Sequence, residues 1–123
     1  MKAIIAGGRN FEPEDKHAEW LVKLLEELEI DTVLSGCATG ADSFGEGVAY
    51  SLRIKVKEYP ANWMKYGNKA GPIRNEQMAK NAEVLILFPG GRGSADMERR
   101  AIKHGLSVYR WIDYEEKATR SES

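Results

Sequence analysis

Apolar positions recur along this chain with two different periods. Short apolar runs at 2–6, 31–35, 83–88 and 106–111 are bounded by Gly, Pro or charged residues and predict buried strands. Between them, residues 14–28 carry Trp20, Leu21, Leu24, Leu25 and Leu28 every three or four positions, which predicts an amphipathic helix. Residues 43–52 predict a second helix. Gly45 and Gly47 each cost it about 1 kcal/mol relative to alanine, which points to close packing against a neighbour. Residues 54–59 alternate Ile, Val and Tyr with Lys and Glu, as a strand exposed on one face at a sheet edge would, and Pro60 ends it. The segment 61–72 is the longest irregular stretch. A helix over 73–81 follows, with Met78 and Ala79 as core contacts, and another continues through 97–104 until Gly105 stops it in a left-handed conformation.

Five strands alternating with four helices predict an α/β fold, a doubly wound parallel sheet with helices on both faces. The domain is expected over 1–113, and 114–123, charged and rich in Ser, is expected to be a disordered tail. At 123 residues with 18 Lys and Arg against 19 Asp and Glu, there is no global basic field, so nucleic acid is disfavoured as a partner. The single Cys37 excludes an internal disulfide and fits a reducing compartment. One Cys and two His supply no metal set, and His17 and His104 read as surface or satisfied residues. No run approaches a membrane span, so a cytoplasmic protein is expected.

Three glycine-bearing loops fall at predicted strand ends: Gly7 and Gly8; Gly36 to Gly40; and Pro89, Gly90, Gly91, Arg92, Gly93 and Ser94. Doubly wound sheets bind ligands at the carboxyl ends of their strands, so all three loops are expected to line one crevice. Backbone N–H groups after a Gly-rich turn suit anions, and side chains there would hold a phosphate away. Arg9, Arg74 and Arg92 add guanidinium forks that match phosphate oxygens. Ser35, Thr39, Asn75 and Ser94 add polar contacts. Asp42 and Asp96 are placed to accept from ribose hydroxyls, or to balance a helix dipole.

The motifs Gly7-Gly8-Arg9-Asn10-Phe11, Ser35-Gly-x-Ala-x-Gly-Ala-Asp42, Ala70-Gly-Pro-Ile-Arg-Asn75 and Pro89-Gly-Gly-Arg-Gly-Ser-Ala-Asp-Met97 stand in this order. Together they resemble the YspA-type (DUF2493) branch of the SMF/DprA–LOG, or SLOG, superfamily, over residues 2–111. The resemblance implies a Rossmann-like domain that binds nucleotides or nucleotide-derived ligands, with no cofactor required. The related Lonely Guy phosphoribohydrolases cleave N-glycosidic bonds with the motif Pro-Gly-Gly-x-Gly-Thr-x-x-Glu and an arginine on the preceding helix. Arg74 matches that arginine, while Met97 stands at the glutamate, between Asp96 and Glu98. If the chain is an enzyme, the resemblance makes Arg74 and Asp96 its catalytic residues.

Trp63 and Tyr66 lie in the long segment before Arg74, where an aromatic ring could stack on a base or cover a ligand, and Lys69 could add charge. Cys37 reads as a small buried filler. Trp63 and Trp111 are candidates for a homodimer interface, a dimer being the expected assembly. Three functions remain in view: binding or sensing a nucleoside phosphate, ADP-ribose or NAD-like ligand; phosphoribohydrolase-type cleavage of a nucleoside monophosphate; and single-strand DNA binding. The missing glutamate favours the first.

Overall fold

In the computed structural model, which describes the backbone of residues 1–122 and side chains through 119, the chain alternates strand and helix almost throughout. In order these are β1 (Lys2–Ala6), α1 (Asp15–Glu27), β2 (Thr32–Ser35), α2 (Ala41–Ser51), β3 (Lys55–Glu58), α3 (Trp63–Tyr66), a 3-10 turn (Gly67–Lys69), α4 (Ala70–Lys80), β4 (Val84–Leu87), α5 (Arg92–Lys103), β5 (Ser107–Arg110) and α6 (Trp111–Glu122). The five strands form one parallel sheet in the order β3-β2-β1-β4-β5. Ile4 pairs with Leu34 on one side and Leu85 on the other, so the order reverses between β1 and β4.

The period of two along each strand sorts the core into two layers. Ala3, Ile5, Val33, Val84 and Ile86 pack on α1 and α2 through Leu21, Leu25, Ala41 and Ala49. Ile4, Ala6, Leu34 and Leu85 pack on α4 and α5 through Met78, Ala79, Met97 and Ala101. Gly45 lets α2 lie on the sheet, since a Cβ there would stand 2.6 Å from Ile5 Cγ2; Gly47 faces open space and has no such role. β3 is an edge strand and largely exposed, as its alternation predicts. Gly105, at φ 77°, ends α5 as expected.

The long segment 61–72 is less irregular than expected. Asn62 Oδ1 accepts the Lys65 N–H at 3.1 Å to start α3, and α4 begins at Ala70, ahead of the expected 73. Pro72 is tolerated because a first-turn N–H has no helical acceptor to lose.

The C-terminal segment departs most from expectation. Residues expected as a disordered tail continue α6 through Glu122. Trp111 is buried rather than exposed, so it is not available as a dimer surface. Its ring lies 4.6 Å from His17 and 5.3 Å from Trp20, and its Nε1 donates to Glu115 Oε2 at 3.0 Å. His17 is likewise buried, its Nδ1 accepting the Glu14 N–H at 2.8 Å.

Candidate functional site

The strand order places a crevice at the carboxyl ends of β1 and β4, where neighbouring connections leave the sheet in opposite directions. A cavity of about 560 Å³ occupies it. Its floor is apolar, from Ile5, Ala6, Met78 and Met97, and its walls carry Gly7, Gly8, Arg9, Asp42, Arg74, Asn75, Arg92, Gly93, Ser94 and Asp96. Trp63, half-exposed, forms part of the rim.

The three loops are bonded to one another before they meet any ligand. Gly8 N–H donates to Pro89 O at 2.8 Å, and Ala41 N–H donates to Gly8 O at 3.1 Å. A Cβ at Gly90 would stand 2.6 Å from Gly8 N, so glycine there is what allows the β1 and β4 loops to touch. Gly40 has φ 71°, and a Cβ there would overlap Gly8 O. The β2 loop closes further on itself: Cys37 N–H donates to Ser35 Oγ at 3.1 Å, Ala38 N–H to Asp42 Oδ2 at 3.1 Å, and Thr39 Oγ1–H to Arg9 O at 3.2 Å.

The loop after β4 is built differently. Ala95 N–H is bonded to Gly91 O, which leaves the N–H groups of Arg92, Gly93 and Ser94 as the orphan donors of the first turn of α5. A Cβ at Gly91 or Gly93 would meet nothing within 4 Å. The first-turn amides and the positive end of the helix dipole therefore stand at the cavity wall, which is anion-binding geometry.

Around this cradle the charges are set in specific ways. Arg74 is partly buried; its Nη1 donates to Gly36 O and its Nε to Asn75 Oδ1 at 2.9 Å. Burial lowers its pKa and the nearby Asp42 carboxylate opposes that. Asp42 is buried in the first turn of α2; burial pushes its pKa up, against the Ala38 amide and the Arg74 charge. Asp96 behaves oppositely. Burial would raise it, but hydrogen bonds from Arg100 and Asn75 outweigh that and hold it below the usual carboxylate range. Asn75 Nδ2 donates to Asp96 Oδ2 at 3.0 Å, and Arg100 Nε donates to the same oxygen at 2.9 Å. Glu98 is taken by Arg110 and Met97 is buried in the floor.

Not every candidate reaches the main cavity. Ser35 is buried and donates to Glu46 Oε2 at 2.5 Å, a bond between β2 and α2. Gly36 and Thr39 line a second, adjoining cavity of about 340 Å³, while Pro89 and Gly90 line a shallow groove with Gly8 and Arg9. Gly40 acts in loop packing. Tyr66 and Lys69 line none of these three spaces. Cys37 is exposed instead of buried, at a positive φ of 65° and with its thiol 3.7 Å from Ser35 O. Sequence reasoning passed over Arg99, which lines the main cavity seven positions after Arg92 on the same helix; two turns of spacing was the available signal.

This geometry is that of a Rossmann-like α/β domain with a switch-point crevice. Its fold is that of DNA processing protein A (DprA) from Streptococcus pneumoniae, with a TM-score of 0.66 and 20% identity over 89% of this chain. The chain spans about half of that structure, 49% of its length. The Gene 61 protein of Mycobacterium phage D29 is 34% identical over 124 residues, covering 91% of this chain and 97% of the phage protein. The chain belongs to the family of that phage protein. No protein-family model matches it. Among the described residues, no helix is long and apolar enough to cross a membrane, and no cluster of three or more His, Cys, Asp or Glu is placed to hold a metal ion.

Proposed function

We propose that this domain binds or senses a nucleotide-derived ligand, with a phosphate against the first turn of α5 and the ribose toward Asp42. The observation that carries the reading is the convergence of three orphan amides, at Arg92, Gly93 and Ser94, with Arg9, Arg74 and Arg99 around one cavity. Three donors, a helix dipole and arginine forks match the charge and shape of a phosphate. Asp42 supplies a buried acceptor for hydroxyl groups. The four motifs support placing the chain in the YspA-type branch, whose members are expected to hold such ligands.

The same geometry argues for holding over cleaving. N-glycosidic hydrolysis needs a carboxylate free to stabilise an oxocarbenium-like centre and prepare water. Asp96 is already neutralised by Arg100 and held by Asn75, Glu98 is paired with Arg110, and Met97 offers no charge. The single-strand DNA reading is favoured by one observation, the half-exposed Trp63 at the rim beside Arg9, on a fold shared with a DNA processing protein. A net charge of −1 weighs against it.

The test is native mass spectrometry of the protein as purified, then thermal melting against nucleoside mono-, di- and triphosphates and an oligonucleotide. A ligand at a hundredfold excess over its Kd stabilises by about 2.7 kcal/mol and raises Tm by about 10 °C. A bound mass or such a shift without product formation supports the reading. Release of free base would establish the hydrolase, salt-sensitive oligonucleotide binding alone would establish the DNA reading, and no response to any of them would end all three. The native spectrum also reports whether the protein is the proposed homodimer.

A further inference from the structure

His17 is buried in the first turn of α1, where the β1 loop, the end of β4 and the start of α6 close on one ring. Its centroid lies 4.9 Å from that of Phe11, edge-on, 6.0 Å from Phe88 and 4.6 Å from Trp111. Its Nδ1 accepts the Glu14 N–H, so the neutral ring carries its proton on Nε2. Phe11 also stacks on the buried Phe88, with centroids 5.0 Å apart, and its own N–H donates to Gly8 O at 3.2 Å. Gly8 O accepts the Ala41 N–H as well, and Gly8 and Arg9 wall the main cavity. A chain of contacts therefore runs from the His17 ring through Phe11 to the β1 loop and the crevice.

We propose that His17 makes the crevice sensitive to pH: a proton on Nδ1 releases Phe11 and loosens the β1 loop, which weakens the hold on an anionic ligand. The effect on a ligand rests on the nucleotide reading, whereas the loosening of the loop does not. A protonated Nδ1 cannot accept from Glu14, and its own N–H would face another N–H. The charge would also sit in a buried setting walled by Phe11, Phe88 and Trp111, so the ring gains by moving toward water. The charged groups facing the ring are Lys16 and Glu14 on its own helix and Glu115 on α6, while the β1 loop and the end of β4 present Phe11 and Phe88 to it. Burial disfavours the charged form most and Lys16 adds to it; the two carboxylates and the Glu14 backbone oppose this without prevailing, so the pKa lies below the ordinary 6.5. The ring is therefore neutral and docked at pH 7.5, and the proton favours its release as pH falls below 6.5.

The test reads amide exchange by NMR in the full chain at pH 7.5 and pH 5, corrected for the intrinsic pH dependence of exchange. The reporters are the amides of Gly8, Phe11 and Ala41, which bond the β1 loop to Pro89, to itself and to α2. If the proton raises the open loop from about one molecule in ten to about one in two, their protection falls about fivefold while that of β1, β2 and β4 holds. His17→Asn offers an acceptor to Glu14 without a titrating ring, and its loop protection should be the same at both pH values. In the wild type the Gly8 and Phe11 amide shifts should titrate with the His17 ring and not with His104, the only other histidine, and should do so unchanged in His104→Asn. Calorimetry with AMP reads the ligand. Between the two pH values the wild type should lose about twofold more affinity than His17→Asn, the variant accounting for titration of the phosphate itself. Loop protection that holds while the His17 ring titrates, an equal loss across the core strands, or equal AMP losses in both proteins would overturn the proposal and leave the nucleotide reading standing. If AMP binds neither protein, the nucleotide reading fails for that ligand, and amide exchange alone decides whether His17 governs the loop.

Discussion

After β2, the backbone N–H groups of Cys37, Ala38 and Ala41 are bonded to Ser35 Oγ, Asp42 Oδ2 and Gly8 O; after β4, those of Arg92, Gly93 and Ser94 stand at the start of α5 with no helical acceptor. Both loops are rich in glycine and both leave the same edge of the sheet. Gly40 is glycine because the chain there is left-handed and presses on the β1 loop. Gly93 has open space where a side chain would be. A glycine in a strand-end loop thus serves either the fold or the ligand, and the two can be told apart by what a Cβ would strike.

That contrast is easiest to break at Gly40. Gly40→Ala puts a Cβ into Gly8 O in a left-handed conformation, and should cost about 3 kcal/mol of stability in urea unfolding. A loss under about 1 kcal/mol would mean that the β2 loop is not the rigid support described here. Next in size is Asp42, in the first turn of α2 just after the β2 loop, where the proposed ribose would lie. Asp42→Asn should weaken a ribonucleotide about tenfold by calorimetry, and should erase its advantage over the 2′,3′-dideoxy analogue. If the preference survives, the ribose does not lie on Asp42.

Gly93→Val should change stability by less than about 1 kcal/mol, because its Cβ enters open space in a first helical turn. A larger loss would show that Gly93 belongs with Gly40. The smallest effect lies away from both loops, at His17. Burial, then the neighbouring Lys16 charge, lowers its pKa below the ordinary 6.5, so the folded chain binds fewer protons there than the unfolded chain. Its contribution to stability is complete above pH 6.5 and is lost as pH falls below that value through the folded pKa. Thermal melts from pH 7.5 to 5 should show this decline in the wild type and a flatter profile in His17→Asn.

The alternation of apolar runs with helical periodicity was enough to read the five strands, the edge position of β3 and the two-sided cover, since those depend on which face each residue turns to the core. The glycine motifs likewise fall after strands, and several of their residues line the cavity at the strand carboxyl ends. What could not be read was how the loops spend their hydrogen bonds. Ser35 and Thr39 look like ligand contacts in the sequence and are instead tied to Glu46 and Arg9. Cys37 looks like a filler in the sequence and is exposed in the fold. α6 escaped notice because most of its residues are charged or polar; Trp111, docking on Trp20 and His17, and Tyr114, 5.8 Å from Trp20, tie it to the fold. The fate of Glu98 depended on Arg110, twelve positions away on another element.

The claim on which the rest depends is that the first turn of α5 receives a phosphate. It is tested by titrating wild type and Gly93→Val calorimetrically with a nucleoside monophosphate that binds and with the same nucleoside lacking its phosphate. In the wild type the monophosphate should bind about thirtyfold more tightly, the worth of about 2 kcal/mol in charge-assisted hydrogen bonds, and in Gly93→Val that difference should collapse. Equal binding of the two in the wild type, or a phosphate preference that survives in Gly93→Val, would contradict it.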